Sequence, residues 1–142
     1  MQRPAKTPIG LLLADVVKNI SRAFDDAMAE AGGSMPEWRI LIALKTKSQR
    51  NQRELAEFIG IKGATLTHHL NAMEADGLLT RRRDPDNRRI HVVEMTDAGE
   101  KAFFRMAAAA QAFDKRLRDG INPDEIAVLE DLLNRLQSNA TP

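Results

Sequence analysis

Apolar residues recur every three or four positions over the first thirty residues, which is typical of an amphipathic helix. We expect this helix over about residues 8–31, with Thr7 as its cap and Pro8 at its first position. The pair Gly32-Gly33 should end it. Its apolar stripe consists of Ile9, Leu13, Val16, Ile20, Phe24 and Ala27.

Three further helices are predicted before residue 78. Ser34 is followed by Glu37 at the spacing of a capping box, and Asn51 is followed by Glu54 in the same way. Gly60 breaks the short third helix, and a fourth helix begins at residue 62 or 63. Gly77 then ends the fourth helix.

The pattern changes after Gly77. Two arms, Leu78–Arg83 and Arg88–Met95, flank an Asp-Pro-Asp-Asn turn, and alternation in the second arm predicts a β-hairpin. Thr96 should cap a long helix to about residue 119, and Asn122 a last helix to about residue 137. The expected fold class is therefore mainly α with a small β-hairpin wing.

Composition narrows the classes of protein that fit this pattern. The 142 residues include no cysteine, which excludes disulfides, cysteine-based zinc sites and thiol redox sensing. No run reaches the ~18 apolar residues of a membrane span, and residues 1–10 lack the pattern of a signal peptide. We therefore expect a soluble cytoplasmic protein. Charge is segregated, because residues 45–91 carry a net excess of four positive charges while the rest carries a net excess of three negative charges.

Two short helices that meet at Gly60-Ile61, followed by a basic hairpin, predict a winged helix-turn-helix. In its second helix, Leu66, Leu70 and Met73 form the buried stripe. The opposite face contains Ala64, His68 and Asn71, with Thr65 and Thr67 beside it. Asn, Thr and His side chains suit the edges of base pairs, although an ordinary solvated helix face would look the same.

The hairpin is rich in arginine. Residues 78–91 contain five arginines, Arg81, Arg82, Arg83, Arg88 and Arg89, and two aspartates, Asp84 and Asp86. The alternative is a solvated loop with internal ion pairs, of which Asp86 with Arg88 is one. Because so much positive charge in a tight turn is costly unless an anion neutralises it, duplex DNA is the favoured partner.

The run from Glu54 to Glu100 resembles the DNA-binding core of the multiple antibiotic resistance regulator (MarR) family. The order and spacing of its motifs carry this resemblance, which extends over about residues 8–137. The motifs are Trp38-Arg39-Ile40-Leu41, Leu55-Ala56, Thr65 with Thr67, Met73-Glu74, Gly77-Leu78, Asp86-x-Arg88 and Thr96-x-x-Gly99.

The resemblance implies a ligand-responsive transcription regulator, expected to be a repressor that binds a pseudo-palindromic operator as a homodimer. Dimerisation helices would comprise residues 1–33 and 96–142, and the winged helix-turn-helix domain residues 34–95. Asp86 would brace the wing, and Arg88 would reach the minor groove. Lys62 departs from the family, which more often has Asp, Ser or Glu there, and this could shift the start of the recognition helix.

Two candidate sites follow. The expected DNA-binding residues are Lys62, Gly63, Ala64, Thr65, Thr67, His68, Asn71, Arg81, Arg83, Arg88 and Arg89. By the resemblance, a small aromatic or amphipathic acid would bind an effector pocket lined by Phe24, Met28, Trp38 and Arg39. The alternative for Trp38 is a simple place in the core.

Other functions have less support. The sequence has no glycine-rich phosphate loop after a strand and no nucleophile elbow, so no enzymatic activity is expected. His68 and His69 are neighbours on a helix and do not share a face, which makes them a poor metal pair. We expect no cofactor and no metal. The main alternative is a winged helix that binds protein or RNA without responding to an effector.

Overall fold

The computed structural model describes residues 6–142, which contain six helices and three strands. The helices are α1 (Ile9–Glu30), α2 (Met35–Thr46), α3 (Gln52–Ile59), α4 (Gly63–Ala75), α5 (Asp97–Leu117) and α6 (Pro123–Ala140), and the strands are β1 (Gln49–Asn51), β2 (Leu79–Arg83) and β3 (His91–Met95). The expected fold class is confirmed. Within residues 6–142, no helix is long and apolar enough to cross a membrane.

Most helix boundaries follow from local capping. Ser34, Asn51 and Asn122 each accept a hydrogen bond from the backbone N–H three residues later, at the starts of α2, α3 and α6. Glycines with positive φ follow α1, α3 and α4, as the sequence predicted.

The predicted cap of α1 is wrong. Pro8 is the N-cap itself and makes no side-chain capping bond, so Thr7 is not the cap. The reason is the backbone of Pro8, whose ψ of 134° is extended, so that the first helical residue is Ile9. The part of the sequence interpretation that concerns residues 1–5 lies outside the described residues.

The wing belongs to a three-stranded antiparallel sheet with the order β1-β3-β2. Arg81 of β2 pairs with Val93 of β3, and Arg50 of β1 pairs with the same Val93 from the other side. The sequence did not predict β1, because its three polar residues show no alternation. The second arm of the hairpin also begins at residue 91 instead of 88, since residues 88 and 89 belong to the turn.

The chain divides into two compact units, Met1–Ala110 and Gln111–Pro142. The core of the first unit draws on the end of α1 and on α2, α3, α4, β2, β3 and the first half of α5. Its fully or almost fully buried residues are Met28, Ile40, Leu41, Ala43, Leu44, Leu55, Leu66, Leu70, Met73, Leu79, Val93, Ala102 and Met106.

Gly99 determines how closely the start of α5 approaches the end of α4. A Cβ atom built on Gly99 would lie 2.0 Å from the carbonyl oxygen of Leu78. The N–H of Thr96 donates to that same oxygen at 3.1 Å, and the Thr96 hydroxyl donates to the carbonyl of Gly77 at 2.6 Å. Only a glycine therefore fits at this contact.

The second unit contains the end of α5 and all of α6. Asn122 and Glu125 form a complete capping box, in which each side chain bonds the other residue's backbone N–H. None of the α6 residues, all of which the structure describes, is buried within this chain. The division into dimerisation helices and a DNA-binding domain stays a prediction.

Candidate nucleic-acid interface

The fourth helix presents the predicted face to solvent. Leu66, Leu70 and Met73 are fully buried, which confirms the predicted stripe. On the opposite side, the predicted contact residues are exposed, and these are Gly63, Ala64, Thr65, Thr67, His68 and Asn71. His69 is half-buried at the edge of the stripe, with its ring centroid 5.6 Å from that of His68.

A sharp turn sets the angle between α3 and α4. Gly60 has a φ of 77°, and its N–H and that of Ile61 both donate to the carbonyl of Ala56. Lys62 is the N-cap of α4 and makes no side-chain capping bond. Its ammonium group donates hydrogen bonds and cannot accept one from a backbone N–H. The helix begins at Gly63 all the same, so the unusual Lys62 has not shifted its predicted start.

An open cavity of about 620 Å³ lies beside the first turn of α4. Its lining includes Arg53 and Glu57 of α3 and Lys62 and Thr67 of the turn and α4. The Thr67 hydroxyl donates to the carbonyl of Gly63 at 2.9 Å, which leaves its oxygen lone pairs and its methyl group available to a partner.

The tip of the wing is a closed seven-residue loop, residues 84–90. It is closed by the N–H of Asp84, which donates to the carbonyl of Ile90 at 2.8 Å. Inside it, the Asp84 carboxylate accepts from the N–H of Asp86 at 2.8 Å, and the Asn87 side chain accepts from the N–H of Arg89 at 3.2 Å. These side-chain bonds hold the loop in one shape at the point where Arg88 and Arg89 leave it.

The five arginines of the wing fall into two groups. The Arg81 guanidinium pairs with Glu74 at 3.0 Å, and that of Arg82 pairs with Glu94 at 2.8 Å. In the described part of the chain, the remaining three have no side-chain partner and are exposed, and these are Arg83, Arg88 and Arg89. The positive charge that is not ion-paired is thus concentrated in the loop at residues 84–90 and in Arg83, which precedes it.

Asp86 was expected to brace the wing by pairing with Arg88. Among residues 6–142, no ion pair joins these two side chains, and the side chain that orders this part of the loop is Asp84. Bracing of the wing by Asp86 stays a prediction.

A network joins the exposed face of α4 to strand β2. The guanidinium Nη2 of Arg81 donates to Oδ1 of Asn71 at 2.7 Å and to Oε1 of Glu74 at 3.0 Å. The backbone N–H of Arg81 donates to the other carboxylate oxygen of Glu74 at 3.0 Å. These hydrogen bonds from Arg81 lower the pKa of Glu74.

The sequence analysis missed the role of Glu74 and the pairing of Asn71 with Arg81. It also missed the cluster in which Glu94 accepts from Arg82 and from Gln49 of β1 at 2.7 Å. The sequence did contain a signal for the role of Glu74, because this residue lies near the end of a helix that leads directly into the strand carrying Arg81.

The four residues expected to line an effector pocket differ in exposure. Met28 is fully buried in the core, while Phe24 and Trp38 are half-buried against it. The Trp38 ring stacks on Phe103 of α5, with centroids 5.4 Å apart. Arg39 is exposed and has no side-chain partner in the part of the chain that the structure describes. The pocket stays a prediction.

No cluster of three or more metal-ligating His, Asp or Glu side chains exists among residues 6–142.

Comparison with known proteins agrees with this geometry. Residues 34–91, which span α2 to the start of β3, match the model of the MarR family. A curated relative, an uncharacterized HTH-type transcriptional regulator YdgJ of Bacillus subtilis (strain 168), is 29% identical over 108 residues. That match covers 76% of this chain and 66% of the relative, slightly less than two thirds of the relative's own length.

Solved structures share the fold over nearly the whole chain. The transcriptional repressor CouR, bound to a 23-mer DNA duplex, has a TM-score of 0.82 at 26% identity, with 92% of each chain covered. A mutant of MarR from E. coli, complexed with operator DNA, has a TM-score of 0.80 at 21% identity, with 91% of this chain and 93% of that one covered. The match of residues 34–91 to the family model, the curated relative and the shared fold agree that this chain is similar to regulators of the MarR family.

Proposed function

We propose that this protein is a transcription regulator that binds duplex DNA, with α4 in the major groove and the wing against the backbone or the minor groove. The observation that carries the proposal is the group of three unpaired arginines in the wing, which are Arg83 at the end of β2 and Arg88 and Arg89 in the loop, together with an exposed polar helix face. Arginine suits phosphates and narrow minor grooves, and base edges suit the side chains of α4. CouR and E. coli MarR have been captured on DNA with the same fold.

The residues divide between the two kinds of DNA contact. His68, Asn71, Thr65 and Thr67 are the candidates for reading bases, because they offer donors, acceptors and methyl groups from one face. The small residues Gly63 and Ala64 let the start of α4 approach the backbone, and Lys62 supplies a positive charge there. The phosphate contacts of the wing come from its unpaired arginines.

The regulator acts as a homodimer through its terminal helices. In α1, Ile9, Leu12, Val16 and Ile20 are at least a third exposed. In α6, Val128, Leu129, Leu132 and Leu133 are also exposed, and they recur at helical spacing. Soluble monomers rarely leave such apolar rows uncovered, so a second copy of the chain is the proposed occupant.

The proposed effector is a small aromatic or amphipathic acid that binds beside Trp38 and weakens DNA binding. Arg39 supports this, because its guanidinium is exposed and offers a carboxylate two parallel donors. Such a ligand acts only by binding the DNA-incompetent conformation better than the competent one. Quenching of the single tryptophan during titration with small acids tests the site, and Trp38→Phe, which leaves no tryptophan to quench, is compared with the wild type by the release of DNA.

The deciding experiment is selection of duplexes from a randomised library by the full chain, followed by mobility shifts. We expect a pseudo-palindrome whose half-sites lie about 10 base pairs apart, and His68→Ala should relax preference at particular base pairs. Lys101→Ala, an exposed substitution in α5, is the control that should change nothing. Equal binding to structured RNA, or selection of no common duplex, would contradict the proposal.

A further inference from the structure

A hydrogen bond joins Asn71, on the exposed face of α4 that is predicted to contact bases, to Arg81 of the wing sheet. Glu74 holds Arg81 from two directions, because one carboxylate oxygen accepts from the guanidinium and the other from the backbone N–H. The Arg81 side chain is only 17% exposed, so the guanidinium is fixed in place before any partner arrives.

This contact determines the orientation of the Asn71 amide. An arginine guanidinium donates hydrogen bonds and accepts none. The Asn71 atom that lies 2.7 Å from Nη2 must therefore be the carbonyl oxygen, since an amide flip would set two donors against each other. The amide nitrogen is consequently the free end of an exposed side chain.

The orientation limits what Asn71 can read. Bidentate pairing with adenine needs the amide oxygen and nitrogen to face the base edge together, whereas here the oxygen faces Arg81. The free nitrogen offers donors only, and guanine presents two adjacent major-groove acceptors, O6 and N7. A donor-only Asn71 therefore fits guanine better than adenine.

We propose that Arg81 is a positioning residue that holds the Asn71 amide nitrogen outward, so that this asparagine reads guanine in each half-site. The inference rests on the proposed function, because it requires α4 to lie in the major groove. It gives the partly buried Arg81 a role in specificity, exerted through Asn71.

The test is base preference, measured by duplex selection and by mobility shifts on operators that differ at one position. Asn71→Ala identifies the position that Asn71 reads, and we expect guanine there in the wild type. In Arg81→Met the freed amide can face adenine with both atoms, so the preference should move from guanine towards adenine by about 5- to 100-fold. A merely structural role for Arg81 would weaken binding to all duplexes without exchanging one base for another.

Three controls complete the design. Arg82→Met removes the neighbouring arginine, which pairs with Glu94 and not with Asn71, and should leave the base preference unchanged. Arg81→Lys keeps a donor-only partner and should retain guanine. The double variant Asn71→Ala/Arg81→Met should show no preference at that position, and thermal unfolding monitors the folding of every variant.

The possible outcomes separate this inference from the function on which it rests. A wild-type chain that selects no duplex overturns the proposed function and the inference together. Selective binding with adenine at the Asn71 position, or with guanine retained in a folded Arg81→Met chain, overturns the positioning role alone. A shift towards adenine in Arg81→Met that is absent from Arg82→Met supports it.

Discussion

Removal of one unpaired wing arginine should flatten the salt dependence of DNA binding, whereas removal of a paired one should not. Arg88 leaves the ordered loop at residues 84–90 with no carboxylate partner in the described chain, and Arg82 in the same hairpin is bonded to Glu94 at 2.8 Å. The variants Arg88→Ala and Arg82→Ala therefore remove the same charge from two different electrostatic environments.

The magnitude follows from counterion release. Each phosphate contact contributes ~0.9 to the slope of log affinity against log salt. A dimer with Arg88 replaced loses two contacts, so its slope should be shallower by about 1.8. Between 50 and 200 mM salt, the wild type should then lose about 12-fold more affinity than Arg88→Ala does.

The assay is fluorescence anisotropy at four or more salt concentrations, on an operator and on a random duplex. Arg88→Ala should flatten both lines, because phosphate contacts carry no sequence information. Arg82→Ala, the matched control, should change the slope by less than half as much. Equal slopes for these two variants would refute the reasoning, because they would show that the ion pair with Glu94 does not withhold Arg82 from DNA.

Asp86 gives the same assay a diagnostic sign. Simple electrostatics expects tighter binding by Asp86→Ala, because a negative charge near the DNA is lost. If Asp86 braces the wing, Asp86→Ala should instead bind DNA less tightly, because the Arg88 side chain becomes more mobile and loses more entropy when DNA fixes it. Asp84→Ala provides the comparison, since the Asp84 carboxylate bonds the N–H of Asp86 within the loop.

The remaining predictions concern stability and assembly. Gly99→Ala should lower the free energy of unfolding by about 1–3 kcal/mol, measured by denaturant titration, because a Cβ would overlap the carbonyl oxygen of Leu78; an unchanged midpoint would contradict this. Leu129→Lys should convert the dimer to a monomer in sedimentation, since Leu129 is 47% exposed in the single chain. Because the pKa of Glu74 is lowered, its pairing with Arg81 stabilises the fold at every pH above 4.5, the ordinary pKa of this group. This stabilisation is lost as the pH falls through the lowered pKa. Glu74→Gln should therefore lose less stability than the wild type on acidification, and equal losses would dismiss this linkage.

The amino-acid sequence by itself determined the features that depend on neighbours along the chain. Ser34, Asn51 and Asn122 cap their helices because each cap bonds an N–H only three residues away. The periodicity of Leu66 and Leu70 identified the buried face of α4, since helical geometry converts spacing directly into direction. The arginines of the hairpin likewise indicated an anionic partner without any knowledge of their contacts.

Tertiary structure alone decided which polar side chains are paired within the chain and which stay available to a binding partner. Arg81 meets Asn71 across ten positions of sequence, and Gln49 meets Glu94 across 45, so neither pair has a local signature. Strand β1 forms by pairing with the edge of β3. Its three polar residues do not predict a strand by themselves. The sequence does not distinguish the five arginines of the hairpin, but the fold pairs two of them with carboxylates and leaves three without such a partner in the described chain, because ion pairing depends on distance in space.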